Sequence, residues 1–428
     1  MRFTDDQVER LGGNIDKLLS EITSVNEHGQ PPLVAPACTM GVTDNKKTVI
    51  LKTKGVRNLN EPEPATSEDL YAFFSCTKSI TVMGALILYE RGLLELDIPI
   101  TKYFPEMGNI GVLEPGILDK KTGEYLRPPK APKTPITARH LITHTAGFSY
   151  GFIHPDYFTL ITKGEKLDPI DPSMEFFFKK TPLVHEPGSA WMYGHSIDWL
   201  GFIIEKISGV KLSTFLKREV FDPIGMNSCT FQKKTFENLV RVHYRKQDES
   251  LKLQERFSLS LDPKLDLGGQ GCFGTVGDYL KFIRVWLNFG FSPDSGLRIL
   301  SESTVKYAIR NHLPETINLE FIGLAHNFVD DDDDDDDGKV EKKLDGWTLT
   351  GNAYCSNDLP TGRPKGSIYW GGLANLSYWI DFKNQIGGFY AVQVLPYMDE
   401  SNIEYIQKFE SEVYKVVDEN KNTSNAKL

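Results

Sequence analysis

The stretch Phe74 to Gly92, FSCTKSITVMGALILYERG, constrains this chain more than any other. Ile80, Val82, Met83, Ala85, Leu86, Ile87 and Leu88 leave almost no polar face, so a helix here must run through the middle of a domain. Ser75 and Lys78 open it three residues apart, and at helical spacing both side chains leave one face of the first turn. That sets an ammonium beside a hydroxyl. The positive end of the helix dipole and the unsatisfied first-turn N–H groups favour loss of the lysine proton and offer a site for a developing oxyanion. Ser-x-x-Lys recurs at Ser208/Lys211, Ser303/Lys306 and Ser424/Lys427, so burial, not the tetrapeptide, singles out Ser75. The plainer alternative is a capping serine with a lysine that reaches out to water.

Charge and cysteine content exclude several function classes. Of the formal charge of -10, eight negative charges fall in the unbroken run Asp330 to Asp337, and the rest of the chain is close to neutral. No basic stripe supports binding to nucleic acid or to an anionic membrane. The five cysteines (Cys38, Cys76, Cys229, Cys272, Cys355) are odd in number and include no Cys-x-x-Cys pair, which argues against a disulfide framework or a zinc site and for a reducing compartment. The N-terminal segment lacks the apolar core of a signal peptide, and no stretch reaches transmembrane length. Ala426-Lys427-Leu428 resembles the Ser-Lys-Leu peroxisomal address and follows a polar tail, so an import receptor is an expected partner and the peroxisomal matrix, or otherwise the cytoplasm, the expected location.

Periodicity predicts an amphipathic helix over residues 5 to 24, then a hairpin of Ala35 to Val42 and Lys47 to Val56 turning through Thr43 to Lys46. Strand patterns return at Trp347 to Tyr354, Ser367 to Trp370, Leu376 to Phe382 and Gly388 to Leu395, before a helix from about Ser401 to Val417. These patterns predict an α/β (α+β) chain forming a single domain over 1–428. Its antiparallel sheet draws on about 1–75 and 340–420, a helical region is inserted over about 97–300, and the acidic run 330–337 is a solvated, disordered loop.

Gly147-Phe148-Ser149-Tyr150-Gly151 fits the nucleophile-elbow pattern, but a helix-like segment precedes it and a loop follows, where the elbow needs strand then helix. Gly269-Gln270-Gly271-Cys272-Phe273-Gly274 lies outside any βαβ unit and reads as a tight turn entering a helix from Val276. His140 and His144 are four apart, yet no glutamate follows His140, and packed, hydrogen-bonded histidines are expected instead of a metal site.

Three segments in order, Ser75-Cys76-Thr77-Lys78, Pro187-Gly188-Ser189-Ala190-Trp191-Met192-Tyr193-Gly194-His195 and Trp370-Gly371-Gly372, resemble the active-site elements of the serine β-lactamase and penicillin-binding-protein superfamily. The segments RHLITHTAGF and GGQGCFGTVGDYLKF are similar to further landmarks of that family. Two departures bear on substrate. Trp370 stands where antibiotic-processing members carry the lysine that recognises a substrate carboxylate, and the stretch WGGLANLSYWID is similar to fungal acyltransferases and esterases of the fold. His195 replaces the asparagine of the usual Tyr-x-Asn.

The resemblance implies a β-lactamase/DD-peptidase-like fold and acyl transfer from a neutral ester or thioester. Ser75 is then the nucleophile, and Lys78 and Tyr193 form the proton-transferring pair, with either one as base. The backbone N–H groups of Ser75 and Leu373 form the oxyanion hole, and His195, Trp370, Gly371 and Gly372 bind substrate. No metal or organic cofactor is required. Aromatic residues from Tyr150 to Phe178 are candidates for a lid, about half of them core instead. The rivals are an amide hydrolase of the peptidase or β-lactamase type and a catalytically inactive scaffold.

Overall fold

Two strands from the front of the chain are completed by five from its end. In the computed structural model, which describes residues 3–24, 34–255, 258–317, 319 and 345–425, the hairpin β1 (Ala37–Asp44) and β2 (Thr48–Gly55) joins β3 (Gly346–Trp347), β4 (Ala353–Tyr354), β5 (Ile368–Gly372), β6 (Leu376–Asp381) and β7 (Ile386–Ala391). The sheet order is β2-β1-β7-β6-β5-β4-β3, antiparallel throughout, with Thr39 opposite Ala391 and Ser377 opposite Tyr390. Both β1 and β7 are buried along their whole length, as central strands covered on two faces must be. The acidic run 330–337 and Ala426 to Leu428 lie outside the described residues.

One face of the sheet is covered by α1 (Asp5–Ile22) and by the long C-terminal helix Glu400–Asn425. Helix α1 begins at a capping box in which the Thr4 hydroxyl accepts from the Gln7 N–H and the Gln7 side chain accepts from the Thr4 N–H. On this face Trp379 of β6 packs edge-on against Phe409, with ring centres 5.4 Å apart. The opposite face carries α2 (Thr77–Glu90) and the helix Val276–Leu287, joined where the Tyr279 hydroxyl donates to the Cys76 carbonyl at 2.9 Å. Twelve consecutive residues of α2, Thr77 to Leu88, are buried, so the apolar run of the sequence is indeed an interior helix.

Two strand expectations need correction. Trp347 to Tyr354 is two short strands around a turn, because Thr348 and Asn352 bond across it through Thr348 N–H and the Asn352 carbonyl at 3.0 Å. Gly388 to Leu395 does not stay in one sheet either. β7 ends at Ala391, and Val394–Leu395 turns away to pair in parallel with His243 and Tyr244.

Candidate active site

The nucleophile candidate is presented by a short 3-10 turn, Phe74–Cys76, and the α-helix proper starts two residues after Ser75, at Thr77. Placing Ser75 in the first turn of the helix is therefore corrected. Phe74 has φ +46°, a left-handed conformation that a bulky side chain rarely adopts, and it breaks the helical path just ahead of Ser75. Residues three apart lie nearly one above the other in such a turn, so the pair still meets: Lys78 Nζ donates to Ser75 Oγ at 3.1 Å.

Lys78 has no exposed surface, and its amine has two more acceptors, the Tyr150 hydroxyl at 3.2 Å and the Gly269 carbonyl at 2.8 Å. Burial outweighs everything else at this group. It lowers the Lys78 pKa to about 7, opposed by the negative charge of Asp198 and by Cys76. As a neutral amine, Lys78 keeps two hydrogens for Gly269 and Tyr150 and aims its lone pair at the Ser75 hydroxyl.

Tyr193 is 5 % exposed and its ring lies under the amine, with Nζ 4.6 Å from the ring centre. The hydroxyl that bonds to Lys78 is that of Tyr150, not that of Tyr193. The Tyr193 oxygen accepts from the Trp370 indole N–H at 3.2 Å and also interacts with Ser75. Burial pushes the Tyr193 phenol well above its ordinary range, only partly offset by those two partners, and Tyr150 is raised for the same reason. Near neutral pH both are proton donors.

Strand β5 closes the other side. It runs so near the Ser75 turn that a Cβ on Gly372 would stand 2.6 Å from the Phe73 carbonyl, a contact only glycine permits. Ser75 and Leu373 consequently line one small cavity, of about 40 Å³, together with Gly371, Gly372, Trp370, Tyr193 and Tyr150. Behind it opens a larger chamber of about 330 Å³, which shares Phe74, Tyr150, Phe152, Gln270 and Leu373 and continues between Phe158, Ile161, Ile170 and Phe176. Among the described residues, no lysine or arginine lines either space. His195 lines the larger chamber instead of the Ser75 cavity, with its Nδ1 held 3.0 Å from Asp198 Oδ2.

Tyr150 was expected as a lid residue and not as a partner of Lys78, and Gly269 and Asp198 were not singled out for the site from the sequence. Tyr150 lies within the Gly147 to Gly151 pattern rejected as an elbow, whose Ser149 is fully buried. Gly269 contributes a carbonyl, which no side chain advertises. Asp198 carried one usable signal, its spacing of three from His195 on the helix Ser196–Ser208. His140 caps its helix with Nδ1 accepting from the Thr137 N–H, whereas His144 is packed between Tyr193 and Trp347 and neither ring nitrogen has a hydrogen-bond partner among the described residues. Its expected hydrogen bonding is therefore corrected. No cluster of three or more metal-ligating side chains occurs among the described residues.

Comparison with known proteins matches residues 31–410 to the family described as Beta-lactamase. A lovastatin esterase of Penicillium rubens is 29% identical over 374 residues, covering 85% of this chain and 90% of its own. A monacolin J acid methylbutanoyltransferase of Aspergillus terreus is 28% identical, covering 79% and 80%. Among solved structures, a simvastatin synthase mutant from Aspergillus terreus superimposes with a TM-score of 0.76 over 97% of this chain and 96% of its own, at 23% identity, a likeness of fold.

Proposed function

The chain belongs to the beta-lactamase family, and from that premise we propose that it is a serine esterase or transesterase that forms an acyl-enzyme on Ser75. The observation that carries this is the fully buried Lys78 amine, its pKa near 7, bonded to the Ser75 hydroxyl. Lys78 takes the Ser75 proton as the oxygen attacks the ester carbonyl; burial lowers the lysine and raises the tyrosine, which favours Lys78 over Tyr193 as base. The N–H groups of Ser75 and Leu373 hold the oxyanion, a contribution worth about 100- to 1000-fold in rate per donor. Lys78 returns that proton to the leaving alcohol as the ester C–O bond breaks, while Tyr193, its oxygen occupied by the Trp370 N–H, donates a hydrogen bond toward Ser75. Water or a second alcohol then enters by the reverse route, with Lys78 again as base.

Trp370, Gly371, Gly372 and His195 bind the substrate on this reading. Among the described residues neither cavity wall carries a lysine or arginine to meet a substrate carboxylate, which supports neutral esters over penicillins or peptide C-termini. The similarity to an esterase and to an acyltransferase supports either water or an alcohol as acceptor. Intact mass after incubation with short and medium p-nitrophenyl esters tests the nucleophile. An acyl adduct or nitrophenol release that disappears in Ser75→Ala is expected; equal behaviour of parent and mutant would remove the proposal. Ala426-Lys427-Leu428 is further proposed as a peroxisomal address. A fluorescent reporter ending in residues 418–428 should enter peroxisomes and lose them when Leu428 is deleted.

A further inference from the structure

The glycine-rich segment Gly268 to Gly274, a tight turn by its sequence, lies against the start of α2 and is bonded to it residue by residue. Thr81 Oγ1 donates to the Gly268 carbonyl at 2.7 Å, Lys78 Nζ to the Gly269 carbonyl at 2.8 Å, and the Cys272 N–H to Thr77 Oγ1 at 3.1 Å. Opposite α2, the same segment is held by a carboxylate. Asp198 is fully buried; its Oδ1 accepts the Gly269 N–H at 2.8 Å and its Oδ2 meets His195 Nδ1 at 3.0 Å. A Cβ on Gly269 would stand 2.8 Å from that Oδ1, so only glycine can be gripped this way. The His195 ring is itself fixed, packed edge-on against Tyr150 with centres 4.4 Å apart. Among the described residues Asp198 has no lysine or arginine within ion-pair distance, and the imidazole is its ionisable contact.

We propose that Asp198, held by His195, is a positioning residue for Lys78: through Gly269 it fixes the carbonyl that orients the amine, and its charge sets the proton affinity of that amine. The inference rests on Lys78 acting as the base toward Ser75. Two of the three amine partners then trace to one buried unit. Gly269 is pinned by Asp198 directly, and Tyr150 is braced by the histidine that Asp198 holds. The other ionisable groups facing the amine are the Cys76 thiol, Tyr150, Tyr193 and His144, and burial keeps each of them uncharged near pH 7. Asp198 is left as the charge that tunes it, and a carboxylate favours the ammonium form.

The test is the pH profile of kcat/KM for a p-nitrophenyl ester in the full-length parent, Asp198→Asn and Asp198→Ala. Asparagine keeps an acceptor for the Gly269 N–H and removes only the charge. Its acidic limb should move to lower pH by about 0.5–1 unit, with kcat on the plateau within about tenfold of the parent. Alanine also releases Gly269 and should lower kcat by about 100-fold with little change in KM. Should Asp198→Asn not give a cooperative melt, His195→Phe tests the positioning instead: it loosens the carboxylate that pins Gly269, so kcat should fall about tenfold with KM little changed, and an unchanged kcat overturns the inference. An acidic limb that stays in place or moves to higher pH overturns the inference. A parent that never acylates, or a Ser75→Ala protein that does, defeats the catalytic reading itself, whereas an acylating parent with an unmoved limb in Asp198→Asn defeats the positioning role alone.

Discussion

The two walls of the cleft are built on opposite terms. Toward the sheet, Lys78 bonds to Ser75 at 3.1 Å and Trp370 to Tyr193 at 3.2 Å, and Lys78 has no exposed surface at all. Toward the inserted region, the larger chamber is bordered by Phe152, 69% exposed, Phe158, 56% exposed, and Ile170, 44% exposed. Those side chains lack directional partners and meet solvent with apolar surface. The contrast separates two tasks. Proton transfer needs atoms fixed to fractions of an ångström, while accommodating an apolar acyl or alcohol group needs only surface waiting to be covered. Tyr150 belongs to both walls, bonding Lys78 with its hydroxyl while its ring stacks on Phe152 at 5.2 Å.

Substitutions across this boundary should separate in kind as well as size. The largest effect is expected from Lys78→Met, which removes the base: kcat for p-nitrophenyl esters falls by about 10⁴-fold, measured as initial rate. The same change should raise Tm by a few degrees in a thermal melt, since it deletes a buried cation that folding must strip of water. Stability and function oppose each other at this residue.

The parent's own pH dependence comes next. Only the free amine serves as base, so kcat/KM should rise with pH about a midpoint near 7, the value to which burial lowers Lys78. An acidic limb near 4 would point to a carboxylate instead. Trp370→Phe keeps the apolar wall and deletes the N–H on Tyr193; it should cost about 10- to 100-fold in kcat with KM nearly unchanged. Tyr150→Phe, removing one of three amine partners, should cost about tenfold, again in kcat. The smallest effect belongs to the rim. Phe152→Ala combined with Phe158→Ala should leave kcat within about twofold and raise KM for longer acyl chains by about 3- to 10-fold. Were the rim pair to lower kcat as Trp370→Phe does, the two walls would not be separate in function.

The same boundary marks what the sequence disclosed. The helix Thr77–Glu90 was legible because an apolar run of that length has few places to go, and the strands were legible from their alternation. Ser75, Tyr193, Trp370 and Leu373, distant in the chain, line one cavity as the resemblance implied. What stayed hidden was relational. Whether Tyr150 or Tyr193 would hold the amine depends on ångström-level packing that two tyrosines in a sequence do not encode. The split of Gly388 to Leu395 between two sheets depends on the partner His243, which lies some 150 residues earlier.

The sheet order carries a consequence for the birth of the protein. β1 needs β7 beside it, and the wall opposite Ser75 arrives only with residues 370 to 373, so a ribosome that has made the first three hundred residues has released the serine and its lysine without the surface that completes them. The unfinished chain carries its nucleophile unarmed. On the proposed reading, Ser75 gains its second oxyanion donor only once the last strands are in place.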